Sequence, residues 1–285
     1  MRLSLRGLAA LAAVVLIAVA CGVDDDEFAD EFSTADELSD DLCSPDLLGD
    51  EDGPVTSIYV VADGRLAGLC WGDPDEAVTG AFEVLEAVTE PSMLRDLAYV
   101  GGFEAENNTL AFVTPFDDDY SAFVMAIDTI SAVDDPGELR LTLLHEFAHV
   151  FSQRDDQLDV TADPNTCSTH WNGAGCFIPG SYVDDWVQTF WPDEELRTLP
   201  TDGVDEGAGE ERCAIDPGFL GAYAASDPEE DFAESYSAFV FDLDVPATVQ
   251  PRLDFFEAYP ELVESRALAR ASNVGEVPNN FDLCG

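Results

Sequence analysis

The chain has 285 residues, with 60 Asp and Glu against 11 basic side chains, all of them Arg, and a formal net charge of −49. An excess of that size repels both nucleic-acid phosphate and anionic lipid headgroups, which sets aside nucleic-acid binding and electrostatic docking on a membrane. A cationic peptide substrate, or calcium on Asp117-Asp118-Asp119, would use the charge, but a solvated acidic surface is the simpler reading.

The first twenty residues place Arg2 and Arg6 before an apolar run over 8–19 and small residues before Cys21. This is signal-peptide architecture, too short for a stable membrane span. Ala18-Val19-Ala20-Cys21-Gly22 resembles the lipobox of bacterial lipoproteins, with Ala18 where Leu is usual. It implies export, acylation of Cys21 and an anchor on the outer side of a bacterial membrane; a plain secretory cleavage is the alternative. Residues 21–54 read as an acidic tether and 55–285 as one domain.

With Cys21 set apart, Cys43, Cys70, Cys167, Cys176, Cys213 and Cys284 form an even set in an oxidising compartment, which favours three disulfides. Cys167 and Cys176 bracket a short loop and are the natural local pair. Cys43 with Cys70 and Cys213 with Cys284 then tie down the two ends.

Residues 58–61 and 66–71 flank Asp63-Gly64 and read as a hairpin. Residues 103–106 and 109–114 about Asn107-Asn108 read as a second, and 122–130 as a buried strand leading into a helix. Three helices start with one device, Asp at the N-cap, Pro at N1 and Glu at N3: Asp73-Pro74-Asp75-Glu76, Asp135-Pro136-Gly137-Glu138 and Asp227-Pro228-Glu229-Glu230. The second is expected to run to about Phe151, burying Leu139, Leu143, Leu144, Phe147, Val150 and Phe151, with Arg140 turned to solvent. Residues 201–211, with three glycines among acids, read as a loop, and Trp186, Phe190 and Trp191 as core. The fold class is α+β, a small mixed sheet packed on the second helix with a helical C-terminal part.

That second helix contains His145-Glu146-Phe147-Ala148-His149. An HExxH string on a helix sets two imidazoles one turn apart with a carboxylate beside them. Two ligands from one rigid element, a third from elsewhere and an open position are what catalytic zinc requires. Glu146 is the candidate general base. An extended HExxHxxGxxH pattern fails at Ser152 and Asp155. The third ligand is therefore His170, in the Cys167 to Cys176 loop, or Glu230, the stronger candidate because Glu230 and Glu234 lie one turn apart on a single helix.

The HExxH together with Tyr223 and Glu230-Asp231-Phe232-Ala233-Glu234 resembles the gluzincin metallopeptidases, in particular the lethal-factor-like group with its Tyr-x6-Glu-x-x-Ala-Glu pattern. The resemblance implies a zincin-like fold, Zn2+ on His145, His149 and Glu230, Glu146 as base, Tyr223 on the oxyanion, and Glu234 behind a ligand imidazole. Asp231 stands where an aromatic is usual, and the longer Cys-bearing segment before Glu230 is an insertion with no inherited role. The expectation is an exported zinc peptidase acting on peptide or protein. Its rival is a non-catalytic surface binding or adhesion module on a peptidase-derived fold.

Overall fold

The structure, a computed structural model, describes residues 43–49, 53–196, 199 and 205–285. The expected signal peptide, Cys21 and most of the tether lie outside those residues. No helix among the described residues is long and apolar enough to cross a membrane.

Strands β1 (Val55–Ala62) and β2 (Arg65–Gly72) form the expected hairpin. Asp63 and Gly64 both sit at positive φ, 52° and 72°, as the tight turn demands, and a Cβ on Gly64 would come within 2.3 Å of Pro91 O. The first capped helix, α1 (Glu76–Val88), starts two residues later than expected. Asp75 is its cap, accepting from Ala77 N–H, and the Tyr59 hydroxyl fixes that corner by accepting from Asp75 N–H at 2.7 Å. A short helix α2 (Pro91–Leu94) leads into β3 (Leu97–Phe103).

The expected second hairpin is corrected. β3 does not pair with β4 (Ala111–Pro115); β5 (Phe123–Asp128) lies between them, parallel to β3 and antiparallel to β4. The sheet order is β2-β1-β3-β5-β4. Every residue of β5 is buried, as befits a strand covered on both faces, whereas β4 takes the half-buried edge.

A short helix α3 (Thr129–Asp134), capped by Asp128, intervenes before α4 (Pro136–Gln153). Asp135 caps α4 as expected by accepting from Glu138 N–H. The stripe Leu139, Leu143, Leu144, Phe147, Val150 and Phe151 is buried in one apolar cluster with Val100, Met125 and Ile127 of the sheet. The sheet's other face, with Ile58, Tyr99 and Phe103, is covered by Leu48 from the far end of the expected tether. Arg140 does not reach for solvent: it donates to Glu276 O at 3.0 Å and lies against Gly275, whose φ is 106°.

After a two-stranded ribbon, β6 (Leu158–Asp159) and β7 (Cys176–Phe177), the chain is helical: α5 (Tyr182–Phe190), α6 (Asp193–Leu196), α7 (Glu206–Cys213), α8 (Pro228–Val240), α9 (Gln250–Phe255) and α10 (Pro260–Ser272). α7 corrects the loop expected over 201–211, of which 201–204 lie outside the described residues. Gly209 lies within that helix, at a place where a Cβ would meet Ala222 O at 2.3 Å. Trp186 and Trp191 are buried as expected, with Phe190 packed at the margin. All three expected disulfides are present: Cys43–Cys70, Cys167–Cys176 and Cys213–Cys284. The fold is α+β, with a small mixed sheet and a helical C-terminal part.

Candidate metal centre

Two helices build the site. On α4, His145 and His149 are one turn apart, and their Nε2 atoms point to one spot, 3.2 Å from each other. From α8, Glu230 brings Oε2 to 3.0 Å from His145 Nε2 and 3.5 Å from His149 Nε2. Glu230 is therefore not the reciprocal half of a capping box. Asp227 caps the helix by accepting from Glu229 N–H at 2.8 Å, while the Glu230 side chain turns to the histidines.

His145, His149 and Glu230 could hold a metal ion. Zinc with bonds of about 2.0–2.1 Å in tetrahedral geometry separates its ligand atoms by about 3.3 Å. The three edges seen here, 3.2, 3.0 and 3.5 Å, bracket that value. The donor set, two imidazoles and a carboxylate, also suits zinc.

Charge is concentrated around these atoms. Burial opposes protonation of His145, but Glu230, then Glu234 and Glu146, outweigh it and push its pKa up to about 10. His149 is raised in the same way, with burial overcome by Glu230. Burial alone would raise Glu230, yet His149 and His145 hold its carboxyl well below the usual range.

Glu146 lies beside the ligand triangle, Oε1 4.0 Å from His145 Nε2, with the N–H of Val113 on edge strand β4 acting to lower its pKa. Desolvation raises its pKa against the pull of both histidines. Glu234 Oε1 is 3.5 Å from His145 Nδ1, one turn along α8 from Glu230. The Tyr223 ring lies 6.0 Å from that of His145, in the segment just before α8; burial and then Glu230 push its pKa upward. A cavity of about 460 Å³ opens alongside, lined by His145, Glu146, Tyr223, Glu234 and, from the C-terminal segment, Asn280 and Phe281.

His170 does not join the triangle. Its ring stacks on Phe177 at an interplanar angle of 4°, and its Nε2 lies 3.5 Å from Glu229. Trp171 forms a β-bridge with Cys176. Asp231, where the family pattern has an aromatic, is fully buried and accepts from Trp186 Nε1, Trp191 Nε1 and Arg252 Nε. Arg252 also donates to Gly218 O, so this buried pair moors the segment leading to Tyr223.

Sequence reasoning passed over Gln153, Glu229 and Asn172. Gln153 continues the row His145, His149 at a spacing of four and was open to discovery on that ground. Its partner Glu229 lies 76 residues away, a pairing that no local pattern carries.

No family model and no curated protein matches the chain. Among solved structures, a protein from Bacteroides caccae described as a candidate zinc-binding metallo-peptidase matches over 72% of this chain and 77% of that one, at 15% identity and a TM-score of 0.37. A likeness at that level determines neither fold nor activity.

Proposed function

We propose that the chain is an exported zinc metallopeptidase of gluzincin type, its domain over 55–285 carried by an acidic tether from a lipid anchor on Cys21. The observation that carries the reading is the triangle of His145 Nε2, His149 Nε2 and Glu230 Oε2, whose edges fit a tetrahedral ion. Held there, zinc would supply Lewis acidity and bring the pKa of a water toward neutrality.

The chain's own groups do the rest. Glu146, beside the histidine pair, takes the proton of the attacking water and passes it to the leaving amine. Its raised pKa suits both halves of that task. Tyr223, held protonated by its surroundings, donates to the carbonyl oxygen as negative charge grows. Glu234 Oε1, 3.5 Å from His145 Nδ1, is placed to favour a proton on that nitrogen and so the tautomer that offers Nε2. The cavity beside Glu146 receives the polypeptide side chain next to the scissile bond.

Casein and a mixed peptide library, offered to protein reconstituted with zinc, test this. Hydrolysis by the native chain and loss of at least about a thousandfold in Glu146→Gln, with zinc still bound, is the expected result. Peptide binding without turnover in both proteins would instead identify the binding module.

A further inference from the structure

We propose that Glu229, together with Gln153 and Asn172, is the positioning group of the metal centre, and that the disulfide-closed loop between Cys167 and Cys176 exists to hold it. The inference rests on the metal reading and assigns a role to the insertion that the family resemblance leaves without one.

Glu229 precedes Glu230 on the first turn of α8 and enters a buried polar cluster, where it is 8% exposed. Its Oε2 accepts from Gln153 Nε2 at 3.0 Å and from Asn172 Nδ2 at 3.1 Å. Gln153 lies four residues after His149, so the first bond joins α4 to α8 one turn beyond one ligand and one residue before another. Its amide nitrogen, which can only donate, also lies 3.4 Å from His149 Nδ1.

Asn172 belongs to the inserted loop and is itself fixed. Its Oδ1 accepts from Ala174 N–H at 3.1 Å and Gly175 N–H at 3.0 Å, so the side-chain amide can turn only toward Glu229. Cys167–Cys176 closes the loop, and His170 beside Asn172 stacks on Phe177 with Nε2 3.5 Å from the other Glu229 oxygen. One buried carboxylate thus gathers α4, α8 and the loop.

The physical reason is positional tolerance. Ligands placed within a few tenths of an ångström bind zinc tightly, and neighbours that fix them are worth about 10- to 100-fold in affinity. Glu230 sits in the first turn of its helix, where fraying is greatest. Anchoring Glu229 removes that freedom.

The test is zinc affinity, by competition with a chromogenic chelator, for the native chain, Glu229→Ala, Glu229→Gln, Asn172→Ala and the Cys167→Ser/Cys176→Ser pair. Glu229→Ala is expected to weaken zinc binding about 10- to 100-fold and to shift the visible spectrum of the Co2+-loaded protein. Glu229→Gln, which still presents an oxygen to both amides, is expected to rescue most of the affinity. Asn172→Ala and the opened loop should fall between.

Native-like zinc affinity and Co2+ spectra in all variants would overturn the proposal while leaving the metal centre standing. So would a Glu229→Ala protein whose zinc-free melting temperature drops while its zinc affinity does not. Failure of the native chain to bind zinc overturns the metal reading as well, and is told apart by that control.

Discussion

At His145 the competition between burial and charge can be measured directly. Its pKa is raised to about 10 in the zinc-free protein, against an unperturbed value of about 6.5, so the imidazole is charged at neutral pH. Zinc must displace that proton. Calorimetric titrations at pH 7 in buffers of differing ionisation heat are expected to show at least about one proton released per zinc, with affinity rising as pH rises. The stability sign is the opposite. A histidine raised in the folded state contributes fully below its unfolded pKa and loses that contribution as pH climbs toward the folded one. Zinc-free protein should therefore lose melting temperature between about pH 6.5 and 10, a loss that zinc or Glu230→Gln diminishes. A flat profile over that window would show that Glu230 does not hold His145. The residues of this triangle were legible because an HExxH string carries its own geometry: helical pitch alone puts both imidazoles on one side. Glu230 was legible by pattern, and the structure sets its carboxylate against both imidazoles.

Elements were read best where local chemistry decides them. Asp135 and Asp227 cap α4 and α8 as their residue pattern indicates, and Asp63-Gly64 makes its turn. Where two local signals compete, or where a distant partner decides, the reading failed. Asp73 and Asp75 both precede a helix, and Tyr59 settles the matter in favour of Asp75. Asn107-Asn108 suggests a hairpin, but β5, apolar on both faces, is buried more fully between β3 and β4 than β4 would be in its place. α7 hides behind Gly207 and Gly209, poor helix formers, the second of which is required by the approach of Ala222. The same remoteness concealed the Asp231–Arg252 pair, which joins α8 to α9. Removing one member leaves the other charged and buried. Arg252→Met is accordingly expected to cost about 3–5 kcal/mol in urea unfolding, and Asp231→Asn with Arg252→Met together less than the two singly. Additive losses would mean the two groups do not act as a pair.

For the molecule as a whole, cysteine arithmetic was a sound guide: the two ends and the inserted loop are each tied by a disulfide. The sequence did not reveal that Cys213–Cys284 also ties a segment that lines the cavity. Beyond α10 the chain returns to the cavity, where Asn280 Nδ2 donates to Glu138 Oε2 at 3.0 Å and Asn279 Nδ2 to Asp244 O at 2.8 Å. The backbone at Asp282 lies against Gly221, two residues before Tyr223. Cys213–Cys284 holds this strap across 71 residues of sequence. Cys213→Ser/Cys284→Ser is expected to lower stability by about 2–5 kcal/mol and, below the melting range, to raise KM for peptides more than it lowers kcat. An unchanged KM would remove the C-terminal segment from the substrate cavity. Net charge, by contrast, bears on solubility rather than on the fold.

All three scales meet in the claim that His145, His149 and Glu230 close on one divalent ion. Anomalous scattering at the zinc edge from crystals of zinc-reconstituted protein tests it most directly. A single strong peak is expected within about 2.0–2.2 Å of His145 Nε2, His149 Nε2 and a Glu230 oxygen. A peak on His170 with Glu230 turned away, or none after reconstitution, would contradict it.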